Sequence, residues 1–190
     1  PKATRLLERA ADLGHTGAMA RLGLCYVEGK GVDRDPARAA ALFAAAADRG
    51  HYRGQLCLGQ MAKERGDDAE AARWFRLSAD QGYTNAEYEL GRCYEKGAGV
   101  PKDIVEARVW YVEAATKGMT KAQSALMRLS RIQVLGEDDT LLNEAEARLS
   151  VTRQAQRAKG EKQDDSHIAS LGAAIRAVSW ADRELTKQPA

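Results

Sequence analysis

The strongest constraint on this chain is an internal repetition between Gly14 and Gly118. The stretch Leu22-Gly23-Leu24-Cys25-Tyr26-Val27-Glu28-Gly29-Lys30-Gly31-Val32 returns 68 positions later as Leu90-Gly91-Arg92-Cys93-Tyr94-Glu95-Lys96-Gly97-Ala98-Gly99-Val100. The register continues through Asp35/Asp103, Ala39/Ala107, Phe43/Tyr111, Ala46-Ala47/Ala114-Ala115 and Gly50/Gly118. A shorter copy lies between them, marked by Leu58-Gly59, Asp67, Ala71, Trp74-Phe75, Ala79 and Gly82. A period of roughly 30 to 40 residues is the signature of a solenoid, in which each unit hides its apolar face only by stacking on its neighbours.

Each copy reads as helix, loop, helix. Ala18, Leu22, Gly23 and Tyr26 recur at helical spacing and give a first helix one apolar stripe. The Gly-x-Gly segments at Gly29/Gly31 and Gly97/Gly99 end that helix, because glycine reaches the left-handed geometry of a C-terminal cap. Asp35-Pro36 then sets a capping acid before a proline whose missing N–H costs nothing in a first turn. The second helix carries Ala39, Leu42-Phe43 and Ala46-Ala47 and stops at Gly50. In the middle copy Lys63-Glu64-Arg65-Gly66-Asp67 shortens the loop between helices by four residues.

This pattern divides the chain. Residues 1–14 form a half repeat or N-terminal capping helix, since Leu6, Leu7, Ala10 and Ala11 precede Leu42, Phe43, Ala46 and Ala47 by 36 positions. Repeats follow at 15–50, 51–82 and 83–118, with a degenerate one at 119–135. In that last copy Met127 replaces the glycine and Ser130 the tyrosine. Residues 136–190 lose the period. Leu141, Leu142, Ala145 and Leu149, then Ile168, Leu171, Ile175, Val178 and Leu185, are expected on two C-terminal capping or docking helices.

The string Ala-x-x-x-Leu-Gly-x-x-Tyr-x-x-Gly-x-Gly-Val-x-x-Asp, followed by Ala-Ala-x-x-Gly, resembles the Sel1-like repeat, a relative of the tetratricopeptide repeat. The resemblance spans about residues 5–132 and is looser in the shortened copy. It implies an all-α fold: a right-handed α-solenoid of helix pairs with a C-terminal helical cap. It also implies a scaffold or adaptor for protein–protein contacts, often bacterial, and brings no catalytic residues. The cysteine-rich branch of that family pairs two cysteines in each repeat, a pattern this chain lacks.

Composition limits the function further. The net charge of +2 supplies no field strong enough to draw the chain onto nucleic acid or an anionic membrane. No apolar run reaches the roughly 18 residues needed to span a bilayer. Cys25, Cys57 and Cys93 are odd in number and have no close mate, which points to a reducing, cytoplasmic compartment. Removal of a leader before Pro1 would instead allow a periplasmic or exported protein. A monomer is the working expectation, with the oligomeric state left open.

No constellation for catalysis or metal binding emerges. His15 and His51 share a repeat position with Tyr83 and Met119, so that position is one of packing or capping. His167 has no partner in sequence. Cys25, Cys93 and Met61 interchange at one register position, as a half-buried apolar site would allow. No cofactor is expected, and the protein is read as a non-enzyme. The acid pairs Asp67-Asp68 and Asp138-Asp139 fall at expected helix starts, where carboxylates oppose the helix dipole.

The remaining feature is the surface that the first helices share, which the resemblance places on the concave side. Counted from the Leu-Gly pair, its positions are Gly17, Ala20, Leu24 and Val27, then Arg53, Leu56, Gln60 and Lys63. The next copies give Asn85, Tyr88, Arg92 and Glu95, then Lys121, Ser124, Arg128 and Arg131. This reads as a groove running from apolar to basic, suited to a peptide with an apolar segment followed by acidic residues or a terminal carboxylate. Arg53, Leu56, Gln60, Lys63, Asn85, Tyr88, Arg92, Lys121, Arg128 and Arg131 are the candidate contacts. Charge reversal at Arg92 and Arg128 together is expected to weaken capture without altering stability. Two other readings stand beside this one: an inhibitor, immunity protein or chaperone of a bacterial effector or envelope enzyme, and a structural segment of a larger chain.

Overall fold

Eight α-helices make up the described part of the chain, which in this computed structural model comprises the backbone of residues 2–134 and the side chains of residues 2–130. They are α1 (Lys2–Asp12), α2 (Thr16–Glu28), α3 (Pro36–Asp48), α4 (Tyr52–Glu64), α5 (Asp68–Ala79), α6 (Thr84–Lys96), α7 (Ile104–Thr116) and α8 (Thr120–Val134). The C-terminal helices expected over 136–190, with His167, lie outside these residues, as do Pro1 and the side chain of Arg131.

The boundaries between the helices have local causes. Asp35, Asp67 and Asp103 cap α3, α5 and α7 by accepting from the amides of Arg38, Glu70 and Glu106 at 2.9–3.0 Å. Gly29 and Gly97 close α2 and α6 in the left-handed conformation, their N–H groups donating to the carbonyls of Cys25 and Cys93. At the other end of each unit the chain turns on Gly14, Gly50, Gly82 and Gly118. There the amides of His15, His51, Tyr83 and Met119 donate back to the carbonyls of Ala10, Ala46, Ser78 and Ala114.

Helices pack in chain order, α1 on α2, α2 on α3 and so on to α7 on α8, which makes an α-solenoid. Its interior is a row of apolar clusters. The first holds Met19, Leu22, Tyr26, Phe43 and Cys57, the second Leu56, Phe75, Leu90 and Cys93, the third Tyr111, Ala122, Ala125 and Leu129. Within a pair the second helix sets an aromatic ring on the glycine of the first. A Cβ on Gly23, Gly59 or Gly91 would lie 2.5 Å, 2.6 Å or 2.8 Å from the ring of Phe43, Phe75 or Tyr111. In α8 Met127 stands at this glycine's place and is exposed.

The loop after α6 is held by contact as well. Gly99, at φ +72°, sits where a Cβ would come within 1.9 Å of the Asp68 carbonyl oxygen. The long loop after α6 thus lies against the start of α5.

Candidate functional site

The first helices α2, α4, α6 and α8 share one ridge, and charged side chains tie α4 to α6 and α6 to α8 across it. Lys63 on α4 pairs with Glu89 on α6 at 2.6 Å. Arg92, one turn after Glu89, donates to the same carboxylate at 3.2 Å, and its guanidinium lies 6.0 Å from the centre of the Tyr88 ring. Glu95 receives two bonds from Arg128 of α8, one of them 2.9 Å long, and a third of 2.6 Å from the Tyr111 hydroxyl. Arg128 and Tyr111 hold the Glu95 carboxyl below its ordinary pKa, against burial, which raises it. In turn, burial and the neighbouring Glu95 drive the Tyr111 phenol far above the usual tyrosine range.

The expected groove residues therefore fall into different groups. Arg53 and Tyr88 are half-buried, while Gln60, Asn85 and Lys121 are exposed. Arg53 and Lys121 make no ion pair among the described residues. Lys63, Arg92 and Arg128 are on the ridge but bound to Glu89 and Glu95. Leu56 is elsewhere: it packs in the core beside Phe75 and Ala62 and offers the ridge no surface. Ala20, at the same position in α2, is also fully buried, so the apolar end of the ridge consists of Leu24 and Val27.

Two residues that the sequence reading did not count as site members organise this surface. Glu95 was placed on the ridge, yet its role as counterion to Arg128 depends on how α6 and α8 are aligned. Glu89 fell outside the chosen positions. Its repeat slot holds Arg21, Cys57 and Ala125 in the other copies, so a carboxylate in a slot otherwise including two buried residues was the available signal.

At the N-terminal ends of α4 and α6 His51 stacks on Tyr52 with ring centres 4.7 Å apart, and Tyr52 meets Tyr83 at 4.6 Å. Neither His15 nor His51 caps its helix through the side chain. Burial, with the Arg53 charge beside it, lowers the His51 pKa. Burial pushes the Cys57 and Cys93 thiols up to about 11, so neither supplies a thiolate at neutral pH. Cys25, Cys57 and Cys93 are all free. Among the described residues no group of three or more His, Cys, Asp or Glu is placed to hold a metal ion. None of the described helices is long and apolar enough to cross a membrane.

A row of helix pairs, with first helices sharing one polar ridge, defines a tetratricopeptide-like solenoid. The chain belongs to the Sel1 repeat family, whose sequence model matches residues 1–15, 16–51, 55–83 and 84–119. Repeats of this family mediate protein–protein contacts. A Sel1 repeat protein of Oxalobacter formigenes has a similar crystal structure, with TM-score 0.61 and 36% identity over 67% of this chain and 99% of that one. A second, c5321, is a protective antigen of uropathogenic Escherichia coli, with TM-score 0.65 and 34% identity over 77% of this chain and 32% of that chain. Among relatives by sequence, the rat "DAP3-binding cell death enhancer 1" is 34% identical over 68% of this chain. The "Chitin synthase regulator SKT5" of Malassezia restricta is 32% identical over 66% of it. The chain spans 33% of the length of the first of these relatives and 9% of the second.

Proposed function

We propose that this protein is a non-catalytic scaffold that binds an extended protein or peptide segment along the ridge of α2, α4, α6 and α8, on the concave side of the solenoid. The observation that carries this reading is the state of Arg92. Stacked over Tyr88 and held by Glu89, its guanidinium is fixed in place while part of it still faces solvent. A prearranged arginine loses less freedom when it meets a carboxylate, and arginine with tyrosine forms the usual kind of interface anchor. Arg53 and Lys121 add charge that no described residue pairs, and Leu24 with Val27 accepts an apolar side chain. The partner's segment is accordingly apolar then acidic. Glu89 and Glu95 consume much of the basic character of the ridge, so one or two carboxylates suffice and a long acidic run is disfavoured.

The relatives named above include a binding protein and a regulator of an enzyme, which fits action through contact rather than chemistry. The reading is tested by capturing partners from native lysate with the intact chain and with the Arg53→Glu/Arg92→Ala variant. Arg92→Ala leaves Glu89 paired with Lys63, so the variant keeps its fold. A partner held by the wild type and lost by the variant supports the ridge. A partner held equally by both overturns it.

A further inference from the structure

The outer face of α7 breaks the pattern of the other second helices. Val105, Val109 and Val112 lie on the side of α7 turned away from Ala107, Tyr111 and Ala114, the residues that join the core. In α3 and α5 the matching face is small or charged and open: Ala37 and Ala41, then Ala69 and Arg73, are exposed. In α7 it is apolar, and Val105, Val109 and Val112 are only 6%, 6% and 5% exposed within the single chain. Arg108 beside them is buried too. Leu126 of α8 packs against Val109 and Val112. Yet Leu58 and Leu90 hold the same place in α4 and α6, and Ala41 and Arg73 stay exposed there. The helices that follow α3 and α5 therefore leave this stripe bare, and α7 has a cover that the repeat does not supply.

We propose that residues 137–149 of this chain dock on the outer face of α7, over Val105, Val109 and Val112. The burial is that of one copy, so the chain itself provides the cover. Reach selects this segment first. After the turn at Gly118, α8 runs back along α7, so the chain leaves Val134 beside the start of α7 and close to Val105. A helix over residues 140–149 would be about 15 Å long, enough to follow the stripe from Val105 to Val112, about 10 Å. Pattern selects it next. Leu141, Leu142, Ala145 and Leu149 supply the apolar side, while Asn143 and Ala147 stand where Ala107 and Tyr111 would recur 36 positions later. The segment thus lacks the slots that seat a regular second helix on its own first helix. Charge selects it as well. Residues 137–149 hold five acidic residues against one basic, whereas residues 166–187 hold two against three. A carboxylate-rich cover suits a face that contains a buried guanidinium, Arg108.

The test reads solvent access at position 109 in the intact chain. The variants Val109→Cys and Ala41→Cys are alkylated with iodoacetamide at pH 8, and mass spectrometry follows each thiol by its peptide. The thiol at position 109 should react roughly tenfold or more slowly than the one at position 41. Adding Leu141→Glu and Leu142→Glu should bring the two rates together, because charges there no longer cover an apolar stripe. The native Cys93, buried in the same molecule, serves as the control and should stay protected throughout. Adding Leu171→Glu and Ile175→Glu instead should change neither rate. Equal rates at positions 41 and 109 before any leucine is changed overturn the proposal, as does protection that survives the change at Leu141 and Leu142. Release of position 109 by the change at Leu171 and Ile175 overturns it too, since the later segment would then be the cover. So does joint release of Cys93, which would mean that the last repeat opens as a whole. Protection that grows with protein concentration would assign the cover to a second copy and likewise overturn it.

Discussion

The ring of Phe75 rests on Gly59 so closely that a Cβ added there would come within 2.6 Å of it. The contact is internal to one helix pair, and it sets how near α5 can approach α4. Gly59→Ala gains a little helix propensity but forces a buried ring to move, with an expected net loss of about 1–3 kcal/mol. Phe75→Leu alone opens a cavity and also destabilises. The two together should cost less than their sum, because leucine leaves room for the new methyl. Urea denaturation of the two single variants and the double variant measures this coupling. Strict additivity would show that the ring does not set the spacing.

Arg128 does structural work as well as facing the ridge. Its two bonds to Glu95 join α8 to α6, and Glu95 is largely buried behind it. Charge reversal at Arg128 would set two carboxylates together, so the Arg92/Arg128 reversal expected to be silent for stability should lower the melting temperature. The partly exposed guanidinium limits the loss from Arg128→Ala to about 1 kcal/mol. The Glu95 pKa is lowered on folding, so the stability it contributes is present above its unfolded pKa. That contribution fades as pH falls through the lower folded value. Glu95→Gln should therefore melt lower than wild type at pH 7, with the gap closing towards pH 3. A constant gap would rule out the ion pair as its cause.

The repeat, its loops and its caps were legible because each depends on neighbours in sequence. Asp35 needs only the amide of Arg38, and Gly29 only the carbonyl of Cys25. The ridge was legible only in outline. Leu56, Ala20, Tyr88 and Ser124 share one helical position, yet they range from buried to exposed. That position lies on the border between core and ridge, where the nature of each side chain decides which side it joins. The Lys63–Glu89 and Glu95–Arg128 pairs join residues 26 and 33 positions apart. Their existence depends on how far one first helix is shifted along the next, which no single-helix periodicity contains. The aromatic partners of the glycines were visible as a repeated slot, but their closeness was not.

Thiol chemistry should rank the three cysteines by exposure. Cys57 and Cys93 are buried, with pKa values pushed up to about 11, whereas Cys25 is half-buried on α2. At pH 8 an aromatic disulfide reagent should label Cys25 first. Cys57 and Cys93 should react only at the rate of local opening. In denaturant all three should react together. Mass spectrometry of peptides from a timed reaction reads the order, and early labelling of Cys57 or Cys93 would show that α4 or α6 opens independently of the solenoid.

Glu87 and Lys117 form a pair of the opposite kind from Glu95 and Arg128. Glu87 is 2% exposed and accepts from Lys117, which also donates to the Gly82 carbonyl at 2.8 Å. Burial raises the Glu87 pKa and the nearby Glu113 adds to it, while Lys117 offsets only part. A carboxyl whose pKa rises on folding stabilises the protonated fold. Its contribution is complete below the unfolded pKa and is lost as pH rises through the folded one. At neutral pH the charged carboxylate therefore works against the fold, consistent with the high desolvation cost of buried pairs. Glu87→Gln keeps an acceptor for Lys117 and removes the charge. It should raise the melting temperature at pH 7 and leave it near that of wild type at pH 4. Calorimetry across that interval tests the sign, and a lower melting temperature at pH 7 would mean that attraction to Lys117 outweighs desolvation.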